Sequence, residues 1–345
     1  MGHQRISAAA CLSALLVLSI AAPSAASATP TTKTQIAGVI DRQGVPASAY
    51  QSVVNGWVVQ VNWADLQPAA GGPIAANNAI DSAIATAHNL NTSHPGLNAR
   101  LKLRVYAGTG APAWAKALGG SPLQLCERRA TSCGSVGRFW TPEFGVAYAD
   151  LQTKLAALYD GIDVVREVAI DRCSTLSAEP FLRQINYAPN LAQYRASGYT
   201  VAADQQCERE EIDAHKVWAQ TRSALALDPY TAVNPTTTSV DEAFTESMMD
   251  YCRASLGSLC VLGNNGLRDS DQGPDFDAMY NAIKARGAPI YFQTATYGRL
   301  HSLPAILQLA ISYGAAMVEL PVGYVHLSAS QLAAPDTQLE AKALT

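Results

Sequence analysis

The chain has 345 residues, with 24 Lys and Arg against 28 Asp and Glu, and a formal net charge of −4 at pH 7. A mildly acidic chain without basic clusters argues against nucleic acid or an anionic membrane surface as a partner. The length suits one large α/β barrel or two smaller domains.

The N-terminus has the features of a secretory signal peptide. Arg5 provides a basic start, Ala8 to Ala22 is an apolar stretch, and Ala26-Ser27-Ala28 is an A-x-A cleavage site. We therefore predict a signal peptide over residues 1–28, a mature domain over 29–345, and a secreted, extracellular protein. No later stretch reaches the roughly 20 apolar residues of a spanning helix, so no membrane association is expected after cleavage.

Seven cysteines fall to six once Cys11 leaves with the signal peptide. An even number in a secreted chain indicates disulfides rather than a metal site, because no CxxC spacing or clustered histidine accompanies them. Proximity along the chain favours three local pairs among the possible connectivities. These pairs are Cys126 with Cys133, Cys173 with Cys207, and Cys252 with Cys260.

Short apolar segments alternate eight times with helical segments. The predicted strands are Gln35–Asp41, Gly56–Trp63, Leu101–Tyr106, Val164–Ile170, Ala224–Leu227, Leu259–Leu262, Pro289–Phe292 and Ala315–Val318. Eight such units without a composition break favour a single (β/α)8 TIM barrel over a doubly wound sheet. No G-x-G-x-x-G or G-x-x-x-x-G-K-S/T phosphate motif is present, so no cofactor is predicted.

Three local features carry further expectations. Gly263 to Gly266 is predicted to be a loop after the sixth strand, and Ser239 to Glu242 to be a capping box that opens a helix. The Ala-rich segment Leu327 to Thr345 either frays or covers the barrel edge.

Two strand ends each deliver a glutamate, Glu179 in S-A-E-P and Glu319 in V-E-L-P. In a parallel barrel the strand ends converge on the active site. Two carboxyl groups across a cleft suit glycoside hydrolysis, in which one protonates the leaving oxygen and the other attacks or activates water. Glu319 has a structural alternative, because the strand residue Arg104 needs a buried carboxylate partner, either Glu179 or Glu319.

Polar and aromatic residues at the other strand ends are predicted to bind substrate, since aromatic faces and amides suit sugars. They are Trp63, Asp65, Arg104, Trp114, Asp228, Asn265, Gln293 and Tyr324. Asp228 is alternatively a third acid or a simple Asp-Pro turn. The two tryptophans alternatively pack in the barrel rim.

Two runs, V-V-Q-V-N-W-A-D-L-Q-P and L-R-V-Y-A-G-T-G-A-P-A-W, resemble the second and third strands of the β-galactosidase and cellulase superfamily of barrel glycosidases. The resemblance extends from Gly56 to Pro180. It implies an acid/base at the end of strand four, which maps onto Glu179. The sequence departs from the family where Ala178 replaces the usual Asn and where strand seven ends in Gln293 rather than a nucleophilic Glu. Either the strand count is one too high, or the second carboxylate has moved to Glu319.

The sequence therefore predicts a secreted glycoside hydrolase that cleaves O-glycosidic bonds of an oligo- or polysaccharide. The alternative is a catalytically inactive barrel that binds glycan at the cell surface. A serine hydrolase lacks the expected G-x-S-x-G elbow. The sugar, the linkage, retention against inversion, endo against exo cleavage and the oligomeric state all stay open.

Overall fold

Eight parallel strands close into a barrel, as the sequence predicts. The computed structural model describes Met1, Gly2, residues 31–94 and residues 96–343, with backbone alone at position 129. Apart from Met1 and Gly2, the predicted signal peptide lies outside the described residues. The barrel strands are β1 Gly38–Asp41, β2 Gly56–Asn62, β3 Arg100–Tyr106, β4 Val165–Ala169, β5 Arg222–Ala226, β6 Cys260–Leu267, β7 Ile290–Thr294 and β8 Met317–Leu320.

Helices surround the barrel. They are α1 Ala79–Ser93, α2 Pro142–Tyr159, α3 Ala188–Ala196, α4 Val201–Ala214, α5 Glu242–Leu256, α6 Pro274–Arg286, α7 Leu303–Ser312 and α8 Ala329–Glu340, with single turns at Trp63–Leu66 and Ala113–Lys116. Two antiparallel hairpins interrupt the alternation. The first pairs Leu123–Cys126 with Cys133–Val136, and the second pairs Thr231–Val233 with Thr238–Val240.

Strand β6 extends through the segment that was predicted to be a loop, so that prediction was wrong. Gly263 lies inside the strand and pairs with Tyr291 of β7. A Cβ at Gly263 would lie 2.3 Å from the Tyr291 ring, so the glycine permits close side-chain packing rather than a turn.

The predicted capping box is also displaced. Ser239 lies in the second hairpin, and Asp241 caps α5 by accepting a hydrogen bond from the Phe244 N–H at 2.9 Å. At the C-terminus, α8 covers the barrel edge rather than fraying. Its Asp336 carboxylate accepts a hydrogen bond from the Val39 N–H at 2.7 Å, and its Leu332 and Leu339 side chains are fully buried.

The barrel interior combines an apolar cluster with a charged one. The apolar cluster contains Ile36, Ile40, Val58, Ala224, Val261, Tyr291 and Met317. The charged cluster contains Lys102, Arg104, Glu167 and Glu319, all buried. Buried charges are stable only when paired, and the four residues form mutual ion pairs.

The three predicted disulfides are present. Cys126–Cys133 closes the first hairpin, Cys173–Cys207 joins the loop after β4 to α4, and Cys252–Cys260 joins α5 to β6. Across the part of the chain that the structure describes, none of the helices is long and apolar enough to cross a membrane.

Candidate active site

A cleft of about 630 Å³ opens at the carboxyl ends of the barrel strands. Its walls come from the loops after β1, β4, β5, β6 and β7, together with the first hairpin region. Three carboxylates line it, those of Glu127, Glu179 and Asp228. The cleft lies where parallel barrels place their active sites, because the strand ends converge there.

Glu179 and Asp228 reach this cleft from neighbouring strands, β4 and β5. The half-buried Glu179 accepts a hydrogen bond from the Ser177 hydroxyl at 2.6 Å. Asp228 is only 5% exposed, and its Oδ1 accepts a hydrogen bond from the Asn264 amide at 3.2 Å. Its Oδ2 is buried without a hydrogen-bond partner among the described residues, so the hydrogen-bonding capacity of this oxygen is unused.

The two carboxyl groups influence each other's protonation. Burial raises the pKa of Asp228 well above its usual range, and the neighbouring Glu179 charge raises it further, while the Asn264 hydrogen bond opposes the shift. Burial also raises the pKa of Glu179, but the Ser177 hydrogen bond and the charges of Arg104 and Arg42 stabilise its ionised form. Both pKa values are therefore shifted upward, and Asp228 is the more strongly shifted toward its protonated form.

Glu319 does not reach the cleft. It lies within β8, opposite Ile40 of β1, with an exposure of 0%. Its carboxylate contacts Lys102 Nζ at 2.8 Å and Arg104 Nη2 at 2.8 Å. Burial alone would raise its pKa, but Arg104 and Lys102 outweigh burial and lower the pKa. The structural alternative for Glu319 therefore describes its contacts. The sequence placed Glu319 at the barrel mouth because the strand was predicted to end at Val318, two residues before its observed end at Leu320.

A chain of hydrogen bonds connects Glu319 to the cleft. Arg104 Nη1 donates to the Gln293 side-chain oxygen at 3.0 Å, and the Gln293 amide donates to the Asn265 carbonyl at 2.8 Å. The Asn265 amide in turn donates to the Ala178 carbonyl at 3.0 Å, directly before Glu179. Gln293 and Asn265 line the cleft, whereas Arg104 lies beneath it. The charged interior thus positions the loop that carries Glu179.

The same loop is anchored to α4 from outside the barrel. Arg183 forms ion pairs at 2.6 Å with Asp204 and at 2.6 Å with Glu208, all three fully or almost fully buried. Its Nη1 also donates to the Cys173 carbonyl at 2.9 Å, beside the disulfide to Cys207. Cys173, Glu208 and Glu211 are grouped like metal ligands, but the Cys173 sulfur is in a disulfide and offers no thiolate.

The other predicted substrate residues lie away from this cleft. Trp63 has an exposure of 0% and packs against Trp114 and Phe144. Its buried indole N–H donates a hydrogen bond to the Gln67 side-chain oxygen at 2.9 Å. The two tryptophans thus pack in the barrel rim, the alternative that the sequence left open. Asp65 lines a separate pocket of about 220 Å³ with Gln60 and Tyr106, and the buried Tyr324 donates its hydroxyl to Asp41 at 2.8 Å.

Three arginines of the cleft were missed by sequence reasoning. Arg42, Arg268 and Arg299 all line it. Arg42 follows β1 directly and Arg268 follows β6 directly. Their positions after barrel strands could therefore have identified them as candidate cleft residues. Arg299 belongs to a short turn, Tyr297–Arg299, which no periodicity marks.

The buried acids of α4 predict a pH-dependent stability. Burial raises the Glu211 pKa to about 7 from 4.5. The folded chain keeps a proton that the unfolded chain releases, so this contribution to stability falls as pH rises from about 4.5 to about 7. Gln does not titrate, so the unfolding free energy of Glu211→Gln should not show this fall. As pH rises through that range, the variant should become more stable relative to wild type by on the order of 2–3 kcal/mol. Urea unfolding at several pH values measures the difference, and the exposed Glu143→Gln should retain the wild-type slope.

Comparison with known proteins confirms the architecture. No family model and no curated protein matches the sequence. The catalytic domain of β-amylase from Paenibacillus polymyxa superimposes with a TM-score of 0.52 at 10% identity, covering 90% of this chain and 99% of that one. β-Galactosidase from Bacillus circulans sp. alkalophilus gives a TM-score of 0.50 at 15% identity, covering 90% of this chain but 56% of that one. At these identities the likeness shows the barrel fold alone.

Proposed function

We propose that this protein is a secreted glycoside hydrolase whose reacting carboxyl groups are Glu179 and Asp228. The observation that carries the proposal is that Glu179 and Asp228 follow adjacent strands and line one cleft at the carboxyl ends of the barrel. This assignment replaces Glu319 by Asp228, because a carboxylate with no exposure and two cationic partners cannot approach a sugar. The likeness to barrel glycosidases supports the reaction class, and the three disulfides suit an extracellular protein.

In this proposal Asp228 donates its proton to the leaving glycosidic oxygen. Its Oδ2, which has no hydrogen-bond partner among the described residues, is the proposed donor atom and has to become accessible when the substrate binds. The ionised Glu179 then either attacks the anomeric carbon or activates a water molecule against it. Asn265 and Gln293 line the same cleft and supply amide groups for sugar hydroxyls.

A binding-only barrel is the second candidate. The observation that favours it is Gln293 on β7, where the resembling family carries its nucleophile, together with the burial of Glu319. Such a barrel would hold a glycan in the cleft and leave it intact.

Incubation of the secreted protein with a panel of neutral and acidic polysaccharides separates the two candidates. For a hydrolase we expect new reducing ends with wild type and none above background with Glu179→Gln. The anomeric form of the first product then distinguishes retention from inversion. Saturable binding of a glycan that wild type never cleaves would instead establish the binding-only barrel.

A further inference from the structure

Arginines outnumber acidic residues in the cleft, since four arginines line it against three acidic side chains. Arg42, Arg268 and Arg299 line it, and among the described residues none of the three takes part in an ion pair. Arg183 of the same cleft differs from them, since it is paired with Asp204 and Glu208. The whole chain is acidic, with a net charge of −4, so this concentration of free guanidinium groups is a local feature.

Arg42 is held in place beside the reacting pair. Its exposure is 9%, and its Nη1 donates to the Thr294 carbonyl at 3.0 Å. Its backbone carbonyl accepts a hydrogen bond from the Gln60 amide at 2.6 Å. Arg42 is also close enough to Glu179 to stabilise the charge of that carboxylate. A fixed guanidinium next to the reacting groups is suited to a substrate group bound close to the scissile bond.

Arg268 and Arg299 extend the positive surface along the wall and rim. Arg268 is half-buried, and its Nε is a buried donor without a hydrogen-bond partner among the described residues. Because Arg268 lines the cleft and forms no ion pair among the described residues, its guanidinium group is available to an anionic ligand. Arg299 is exposed on the turn Tyr297–Arg299 and reaches the same cleft.

We infer that the cleft binds an anionic saccharide, whose carboxylate or sulfate groups contact Arg268, Arg299 and Arg42. A planar guanidinium group matches the paired oxygens of a carboxylate or sulfate, and charge-assisted hydrogen bonds of this kind are stronger than neutral ones. A neutral sugar would add no anionic partner for Arg268 and Arg299, whereas Arg42 already has the Glu179 charge nearby. This inference names the substrate class and rests on the proposed function for the reaction.

The test is calorimetric binding to the Glu179→Gln variant, in which no bond should be cut. The probes are a trigalacturonate, a sulfated trisaccharide and a neutral galactotriose. We expect one charged probe to bind at least about tenfold more tightly than the neutral one, since charged hydrogen bonds are worth about that factor each. Uronate binding or sulfate binding identifies which anion the cleft prefers, and either supports the inference.

Substitutions then assign the binding to the arginines. Added to Glu179→Gln, Arg268→Gln and the exposed Arg299→Gln should each weaken the charged probe about tenfold. Arg195→Gln, on the exposed surface of α3, is the matched control and should leave affinity unchanged. Equal binding of charged and neutral probes, or arginine variants that match the control, would overturn the inference.

Hydrolysis of the same glycans by the wild-type protein is measured separately, so that the reaction and the substrate class are tested independently. Cleavage of neutral glycans alone would support the proposed hydrolase function and would contradict the proposal that its substrate is anionic. Arginine-dependent binding of a charged probe that wild type never cleaves would support the anionic ligand class and would contradict the proposed hydrolase function.

Discussion

Glu179→Gln is expected to lower turnover of a cleaved glycan by about 100-fold or more, the contribution typical of a positioned acid–base group. The substitution preserves size and can keep the hydrogen bond from the Ser177 hydroxyl, so the cleft should keep its shape. It removes the negative charge that the attack on the anomeric carbon or on water requires. Initial rates at saturating substrate, with thermal unfolding measured in parallel, test this expectation.

One further variant tests the role of Asp228, and another serves as a surface control. Asp228→Asn should also reduce turnover, and it should remove the alkaline limb of the pH–rate profile, because that limb reports loss of the Asp228 proton. Glu143→Gln changes an exposed glutamate in the first turn of α2 and should keep wild-type turnover. Near-full activity of Glu179→Gln would remove this residue from the mechanism.

Glu319→Gln is expected to act chiefly on stability and to cost about 3–5 kcal/mol of unfolding free energy. The substitution removes one carboxylate from a buried cluster and leaves Lys102 and Arg104 with less negative charge between them. Breaking a buried pair is costly, since the remaining charge cannot be hydrated. Urea unfolding near neutral pH measures the difference from wild type.

A surface ion pair supplies the matched control. Glu246 contacts Arg286 at 3.3 Å and is exposed, so Glu246→Gln should change stability by less than about 1 kcal/mol. Below its unfolding temperature, Glu319→Gln should lose much less turnover than Glu179→Gln. A Glu319→Gln protein of wild-type stability with abolished turnover would reverse the roles assigned here to the two glutamates.

The barrel was predictable from the sequence because its strands are short, apolar and regularly spaced. The predicted and observed strands agree within a few residues for β2, β3 and β4, although charged residues interrupt the apolar ones in β3 and β4. Strand β6 extends furthest beyond its prediction, because Gly263 and the asparagines after it have the composition of a turn. Tertiary packing against Tyr291 decides that conformation, and packing is not visible in local composition.

The position of Glu319 could have been inferred from strand alternation. Met317 and Glu319 share one face of β8, and Met317 lies in the apolar interior. On β3, Lys102 and Arg104 likewise share a face and enter the interior. Two buried cations require nearby acids, and Glu319 meets that requirement. Charge balance had suggested this role from Arg104 alone, and the second buried cation, Lys102, completes the argument.

The pairing of Glu179 with Asp228 needed the structure. The sequence identified Asp228 as a strand-end acid but left an Asp-Pro turn equally open. Only the structure shows that both acids line one cleft and that Asp228 Oδ2 has no hydrogen-bond partner among the described residues. The three cleft arginines also needed the structure, because a sequence does not show which arginines form no ion pair.

The most direct test is a crystal structure of Glu179→Gln with the oligosaccharide that wild type cleaves. The account predicts a sugar in the cleft, with the scissile glycosidic oxygen about 3 Å from the Asp228 carboxyl and the anomeric carbon facing residue 179. A sugar bound instead in the pocket of Asp65 and Tyr106, or bound in the cleft with neither carboxyl group at a glycosidic bond, would contradict the account.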